Sequence, residues 1–88
     1  MEKRPLTSAQ IRAARALLRW RAQDLARESA VGVATIRRAE LVDGETSMTA
    51  ANDAAVRRSL ENAGVEFIEE NGGGPGVRLR RRYRSKKV

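Results

Sequence analysis

The chain has 88 residues, with 18 Lys/Arg against 11 Asp/Glu for a formal charge of +7, and it contains neither cysteine nor histidine. This excludes disulfides, thiolate or imidazole metal sites and an imidazole general base, and it leaves one small domain near the lower size limit for a self-sufficient core. No apolar run approaches the roughly 20 residues of a membrane span and no signal-peptide pattern opens the chain, so the expectation is a soluble, cytoplasmic protein.

The first element starts at "LTSAQI". Thr7 is a helix cap with Gln10 three positions on, and Leu6 and Ile11 stand at the two staple positions. The spacing predicts a helix from Ser8 to Leu18 or Arg19. Its inner side is Ile11, Ala14, Leu17 and Leu18, and Arg12 and Arg19 face solvent. A short second helix follows over Ala22 to Ser29, burying Leu25 and Ala26. Ala30-Val31-Gly32 is a turn, and Gly32 caps a third helix running from Val33 to about Leu41, whose inward residues are Ile36 and Ala39. "VDGETSM" is a loop. Thr49 caps a fourth helix, Ala50 to Ala63, with Ala51, Ala55, Val56 and Leu60 inside and Gly64 ending it at a left-handed position.

Beyond Gly64 the pattern changes. "VEFIEE" and "VRLRRR" are β-type runs around the turn cluster "NGGGPG", which predicts a hairpin of Val65–Glu70 and Val77–Arg82. Aligning Phe67 with Leu79 gathers the apolar residues, although loop length alone does not impose that register. "NGGGPG" lacks the phosphate-loop pattern and precedes a strand, so it is a hairpin loop. Glu69 and Glu70, on adjacent and opposite-facing strand positions, do not share a cleft. With no assembled catalytic set and no cofactor motif, the chain is expected not to be an enzyme and to need no cofactor or metal.

Charge is uneven along the chain. Residues 1–76 hold 11 basic and 11 acidic side chains, whereas residues 77–88 hold seven basic ones (Arg78, Arg80, Arg81, Arg82, Arg84, Lys86, Lys87) and no acid. A block of this kind attracts polyanions, nucleic acid first.

Two short helices joined by a three-residue turn, after a capped first helix, have the outline of a helix-turn-helix. The stretch "IRAARALLRWRAQDLARESAVGVATIRRAE" also resembles the Cro and phage-repressor (Xre-type) helix-turn-helix family, at Leu17, Leu18, Trp20, Asp24-Leu25-Ala26, Val31, Thr35-Ile36 and Glu40. The later "AGVEFIEENGGGPGVRLR" looks like the tail of short proteobacterial regulators of that type. The resemblance implies a mainly α fold of four helices, lambda-repressor-like, over residues 1–64, a dimerising β-hairpin over 65–82 and a disordered basic tail over 83–88. It implies a homodimeric regulator of transcription, a repressor, that binds double-stranded DNA on a two-fold symmetric operator. The third helix would then lie in the major groove.

Carried over position by position, the resemblance puts Val33, Ala34, Thr35 and Arg38 towards bases, and Arg21, Gln23, Arg37, Thr46 and Ser47 towards phosphates. Arg38 suits guanine O6 and N7, and the methyls of Val33 and Ala34 suit thymine methyls. Val65, Phe67, Ile68, Val77 and Leu79 would form the dimer contact. Arg15 and Glu40 match an architectural ion pair, and Trp20 is read as packing. Arg57 and Arg58 are read either as a solvated face or as backbone contacts. The chain departs from the family at Ala22, Arg21 and Gly32, where Gln, Ser or Thr are usual. It departs again at Ala30, which replaces a turn glycine and costs about 1 kcal/mol if its φ is positive. Loss of these polar contacts motivates the alternative of an antitoxin or antiactivator that grips a protein partner.

Overall fold

A computed structural model describes residues 5–80. Four helices, α1 (Ser8–Leu18), α2 (Ala22–Ser29), α3 (Val33–Ala39) and α4 (Ala50–Asn62), precede one antiparallel hairpin of β1 (Val65–Ile68) and β2 (Gly76–Leu79). The architecture is mainly α, as the sequence patterning predicts. None of the described helices is long and apolar enough to cross a membrane.

Helix starts follow local chemistry. Thr7 Oγ1 accepts from the Gln10 amide at 3.1 Å, and Gln10 Oε1 accepts in return from the Thr7 amide at 3.0 Å. The flanking Leu6 and Ile11 are both buried, so the staple closes over this box. Thr49 Oγ1 caps α4 by accepting from the Asn52 amide at 3.1 Å. At the end of α2, Ala30 takes a left-handed conformation (φ 62°), and Ser29 Oγ donates to the Leu25 carbonyl while accepting from the Val31 amide. This hairpin of side-chain bonds turns the chain so that Val31 drops into the core.

The core gathers Leu6, Ile11, Ala14, Ala22, Leu25, Val31, Ile36, Val56, Leu60 and Val65, so every element contributes except β2, whose Val77 and Leu79 pack against its margin. The chain before α1 is strapped into place from both sides. The Leu6 amide donates to Asp53 Oδ1 at 3.1 Å, the Ser8 amide to the Gly44 carbonyl at 2.9 Å and the Thr46 amide to the Leu6 carbonyl at 3.3 Å. Ser8 Oγ donates to the Val42 carbonyl. Residues 6–8 therefore tie α1, the α3–α4 loop and α4 together.

Several positions differ from the sequence reading. Leu17, expected inside, is 41% exposed, while its neighbours Leu18 and Trp20 pack against the core. Ala51, expected on the inner side of α4, is exposed, and the inward positions below Val56 and Leu60 include Arg57, which is buried. Arg57 is thus neither a solvated cation nor a backbone contact. Its guanidinium lies 5.2 Å from the Phe67 ring centre, with Glu69 at 4.0 Å. Helix α3 stops at Ala39, two residues early, and α4 at Asn62. Ala63 stays right-handed, and the positive φ (114°) falls on Gly64 as predicted.

Strand β1 ends at Ile68, two residues before Glu70, and the expected end of β2 at Arg82 lies outside the described residues. The register pairs Val65 with Leu79 and Phe67 with Val77, not Phe67 with Leu79. This register puts both apolar pairs on the inner face and sets Glu66 opposite Arg78 outside, where Arg78 Nε and Glu66 Oε1 lie 3.0 Å apart. Glu69 and Glu70 lie in the loop, not on β1, and Glu70 accepts from the Gly72 and Gly74 amides, closing the loop on itself. Val65 is fully buried in the same core as the helices, so it is already used within the protomer. A lone hairpin is marginal in water. Here it rests on α1 and α4, and Gln10 Nε2 holds its mouth through the carbonyls of Ile68 (3.4 Å) and Gly76 (3.1 Å).

Two outcomes follow from these contacts. Gln10→Ala, which removes both the capping acceptor and the hairpin donor, is expected to cost about 1–3 kcal/mol in denaturant unfolding. Amide exchange should accelerate in residues 65–79 more than in α2, and unchanged hairpin protection would show that this amide does not hold it. Ala30→Gly is expected to stabilise by about 0.5–1 kcal/mol, since glycine accepts the left-handed conformation that strains alanine; a lowered melting temperature would contradict that assignment.

Candidate nucleic-acid interface

Helices α2 and α3 are joined by only Ala30, Val31 and Gly32. Since Leu25, Val31, Ile36 and Ala39 are buried, the angle between the two helices is set by the core and the opposite sides are left to solvent. On that outer side Ala34, Arg37 and Arg38 are exposed. Thr35 is half-buried, and its hydroxyl accepts a long hydrogen bond, 3.4 Å, from Arg38 Nη2, one turn further on. Val33 is half-buried and packs against the core, so its methyls are partly used there. The polar deficit noted in the sequence is therefore real at the surface. The exposed part of α3 carries two guanidinium groups and a methyl, with no amide or carboxylate.

A groove runs between α1, the start of α2 and the end of α3. Four arginines line it (Arg12, Arg15, Arg21 and Arg37), together with Gln23 and Trp20, and the one carboxylate among the lining residues is Glu40. Arg15 neutralises that carboxylate with two 2.7 Å bonds, Nε to Oε2 and Nη2 to Oε1, and its Nη1 donates to the Trp20 carbonyl at 2.9 Å. The bond to Glu40 raises the Arg15 pKa above its ordinary value against the opposing effect of burial, so the guanidinium is charged at every pH of interest. Arg12 Nη1 donates to the Glu40 carbonyl at 2.7 Å, which fixes a further cation on the same wall. The groove has a net positive surface with a half-buried indole in it, chemistry that suits a sugar-phosphate backbone.

At the mouth of the groove, Arg21 is the residue before α2 and has extended backbone. Asp24 accepts from the Arg21 amide at 2.8 Å and from Arg27 Nη2 at 3.0 Å, with Arg21 Nε at 3.6 Å. An acid in the first turn suits the helix dipole and accepts the amide of the residue before the helix, while no side chain caps the first-turn amides. These bonds, the amide of Arg21 first and the Arg27 guanidinium second, hold the Asp24 carboxyl below the usual range.

Of the residues singled out from sequence, the fold gathers Arg21, Gln23 and Arg37 around one groove and sets Ala34 and Arg38 on the adjoining exposed side of α3. It does not bring Thr46 there. That residue is 4% exposed and its hydroxyl accepts from the Met48 amide, so it is a loop brace and not a phosphate contact. Ser47 is exposed, with φ 69°. Arg12, a solvent-facing residue by the helix pattern, lines the groove; its spacing of three from Arg15 is the available signal. Leu41, at the expected end of α3, is 84% exposed and lines the same groove. The basic residues Arg81, Arg82, Arg84, Lys86 and Lys87 lie outside the described residues. Among the described residues no group of His, Cys, Asp or Glu is arranged to hold a metal ion.

Asp24 yields a pH-dependent outcome. A carboxyl depressed in the folded state contributes stability that is complete above the ordinary carboxylate range and is lost as pH falls through the depressed value. Asp24→Asn should therefore be less stable than wild type at neutral pH, and the gap should close on acidification. Denaturant midpoints measured at a series of pH values test this, and a gap constant with pH would reject it. Comparison with known proteins finds no family model that matches the chain and no matching curated protein.

Proposed function

We propose that the protein is a sequence-specific DNA-binding regulator of transcription, built on a helix-turn-helix of α2 and α3 and acting as a homodimer, most simply as a repressor. The observation that carries this reading is the arginine-lined groove beside the exposed side of α3. Phosphate contacts position such a protein and base contacts specify its site, and the two need different side chains on neighbouring surfaces. Arg12, Arg21 and Arg37, with Gln23, answer the first need. Arg38, aided by Ala34, answers the second, since a guanidinium forks onto guanine O6 and N7 in the major groove.

In a symmetric dimer the two α3 helices enter successive major grooves about 34–36 Å apart. The hairpin is the natural partner surface, because both strands of a two-stranded sheet have an open edge. Phe67, Val77 and Leu79 are half-buried against the protomer's own core, so a second copy would meet the strand edges and Ile68, which stands on the other face of β1. A bound dimer that covers a promoter blocks polymerase, which is the basis for preferring repression.

The test is selection from a random duplex library with the full-length chain, followed by titration of the winning site at several salt concentrations. Arg38→Ala should erase discrimination at one guanine, by about 1–3 kcal/mol, with little effect on other duplexes. Arg37→Ala should weaken all sequences alike and reduce the salt slope by about 1. Failure of any preferred sequence to emerge at physiological salt would overturn the reading.

A further inference from the structure

The exposed side of α3 has a composition that narrows what it can recognise. Ala34 and Arg38 are one helical turn apart, and the Leu41 amide donates to the Arg38 carbonyl at 3.1 Å, which holds Leu41 just past the helix end, where it lines the near side of the arginine groove. The surface thus presents a methyl, a guanidinium and an isobutyl group. Leu41 is the most exposed large hydrophobic residue among the described residues, at 84%. No amide or carboxylate stands on α3, and its single hydroxyl, on Thr35, is engaged by Arg38.

Major-groove edges of pyrimidines differ in two respects. One is the hydrogen-bonding group at position 4, a carbonyl in thymine and an amine in cytosine. The other is the C5 position, which carries a methyl in thymine. Cytosine gains the same methyl when it is methylated at C5. With Arg38 committed to guanine and the Thr35 hydroxyl to Arg38, no side chain of this surface is left to read the first difference, whereas burying a methyl needs only an apolar neighbour. Resting on the DNA-binding reading above, we infer that this protein reads C5-methyl groups on pyrimidines beside a guanine, so that cytosine-5 methylation strengthens its binding as thymine does.

Spacing supports the arrangement. From Ala34 to Arg38 the helix rises about 6 Å, close to two base-pair steps, and Leu41 follows in the turn after the helix end. One guanine flanked within a step or two by methylated pyrimidines fits that order. Arg38, held by Thr35, supplies orientation, while Ala34 and Leu41 supply the methyl contacts.

The experiment takes the site selected from the random library and resynthesises it with thymine, deoxyuridine, 5-methylcytosine or cytosine at each pyrimidine next to the guanine. Within each pair, thymine against deoxyuridine and 5-methylcytosine against cytosine, the duplexes differ by the methyl alone. Binding of the full-length chain by anisotropy should favour the methylated member of both pairs by about fourfold per methyl. In the double variant Ala34→Gly, Leu41→Ser, both ratios should fall towards one and overall affinity should weaken, while the preference for guanine opposite Arg38 is kept. Both positions are exposed, so the fold is expected to survive, and its melting temperature is checked alongside. Equal binding within both pairs, on a site that is otherwise specific, would overturn this inference and leave the DNA-binding reading intact. A difference in the thymine pair alone would overturn the response to methylated cytosine. If no site is selected at all, both readings fall together.

Discussion

The arrangement of the surface depends on the ion pair between Arg15 and Glu40. Helix α3 has seven residues, far below the length at which a helix is stable by itself, and it buries only Ile36 and Ala39. Its end is fixed by two 2.7 Å bonds from α1, with Glu40 at 8% exposure and Arg15 bonded in addition to the Trp20 carbonyl. Burying a carboxylate is unfavourable, and the pair is tolerable because its donors and acceptors are matched. Loss of either partner leaves a desolvated charge, a destabilisation of about 3–5 kcal/mol where such a charge is fully buried and less here, with Arg15 partly exposed. The same pair removes the only carboxylate from the charge balance of the groove, so one interaction both orients α3 and makes its flank cationic.

Around that pair, the molecule compensates for its small size by using backbone and side-chain hydrogen bonds as struts. The residues before α1 bond to the α3–α4 loop and to Asp53 of α4. Loops so constrained cannot relax independently of the helices, and Thr46, buried at the centre of one, shows the consequence. A residue whose type suits a solvent contact becomes internal once its loop is strapped down.

What the sequence made legible was local. Thr7 with Gln10, Thr49, Gly64 and the alternation of Val65 and Phe67 each act through neighbours within four positions, so their readings hold almost to the residue. The register of the hairpin depends on Gln10 and on the pairing of Glu66 with Arg78, which lie far apart in the chain. Burial of Arg57 beneath Phe67 depends on the hairpin lying over α4. Leu17 and Leu41, apolar by type, stand outside the core, which residue type alone does not reveal. For the interface, the arginine positions near α2 and α3 were legible, whereas Arg12 became part of it only through the fold. Nothing in residue type separates Arg12 from Arg19; position relative to Glu40 does.

Gln10 serves two elements with opposite ends of one amide. Its oxygen completes the cap of α1, and its nitrogen holds two carbonyls at the hairpin mouth. Judged by the helix alone, glutamate would be the better residue there, since a carboxylate in the first turn suits the dipole and accepts the same bond. In this fold it would set a negative charge against two carbonyl oxygens and release the hairpin. The side chain that is second best for its own helix is therefore the only common one suited to the junction, and any redesign that scores α1 in isolation would loosen the other end of the molecule.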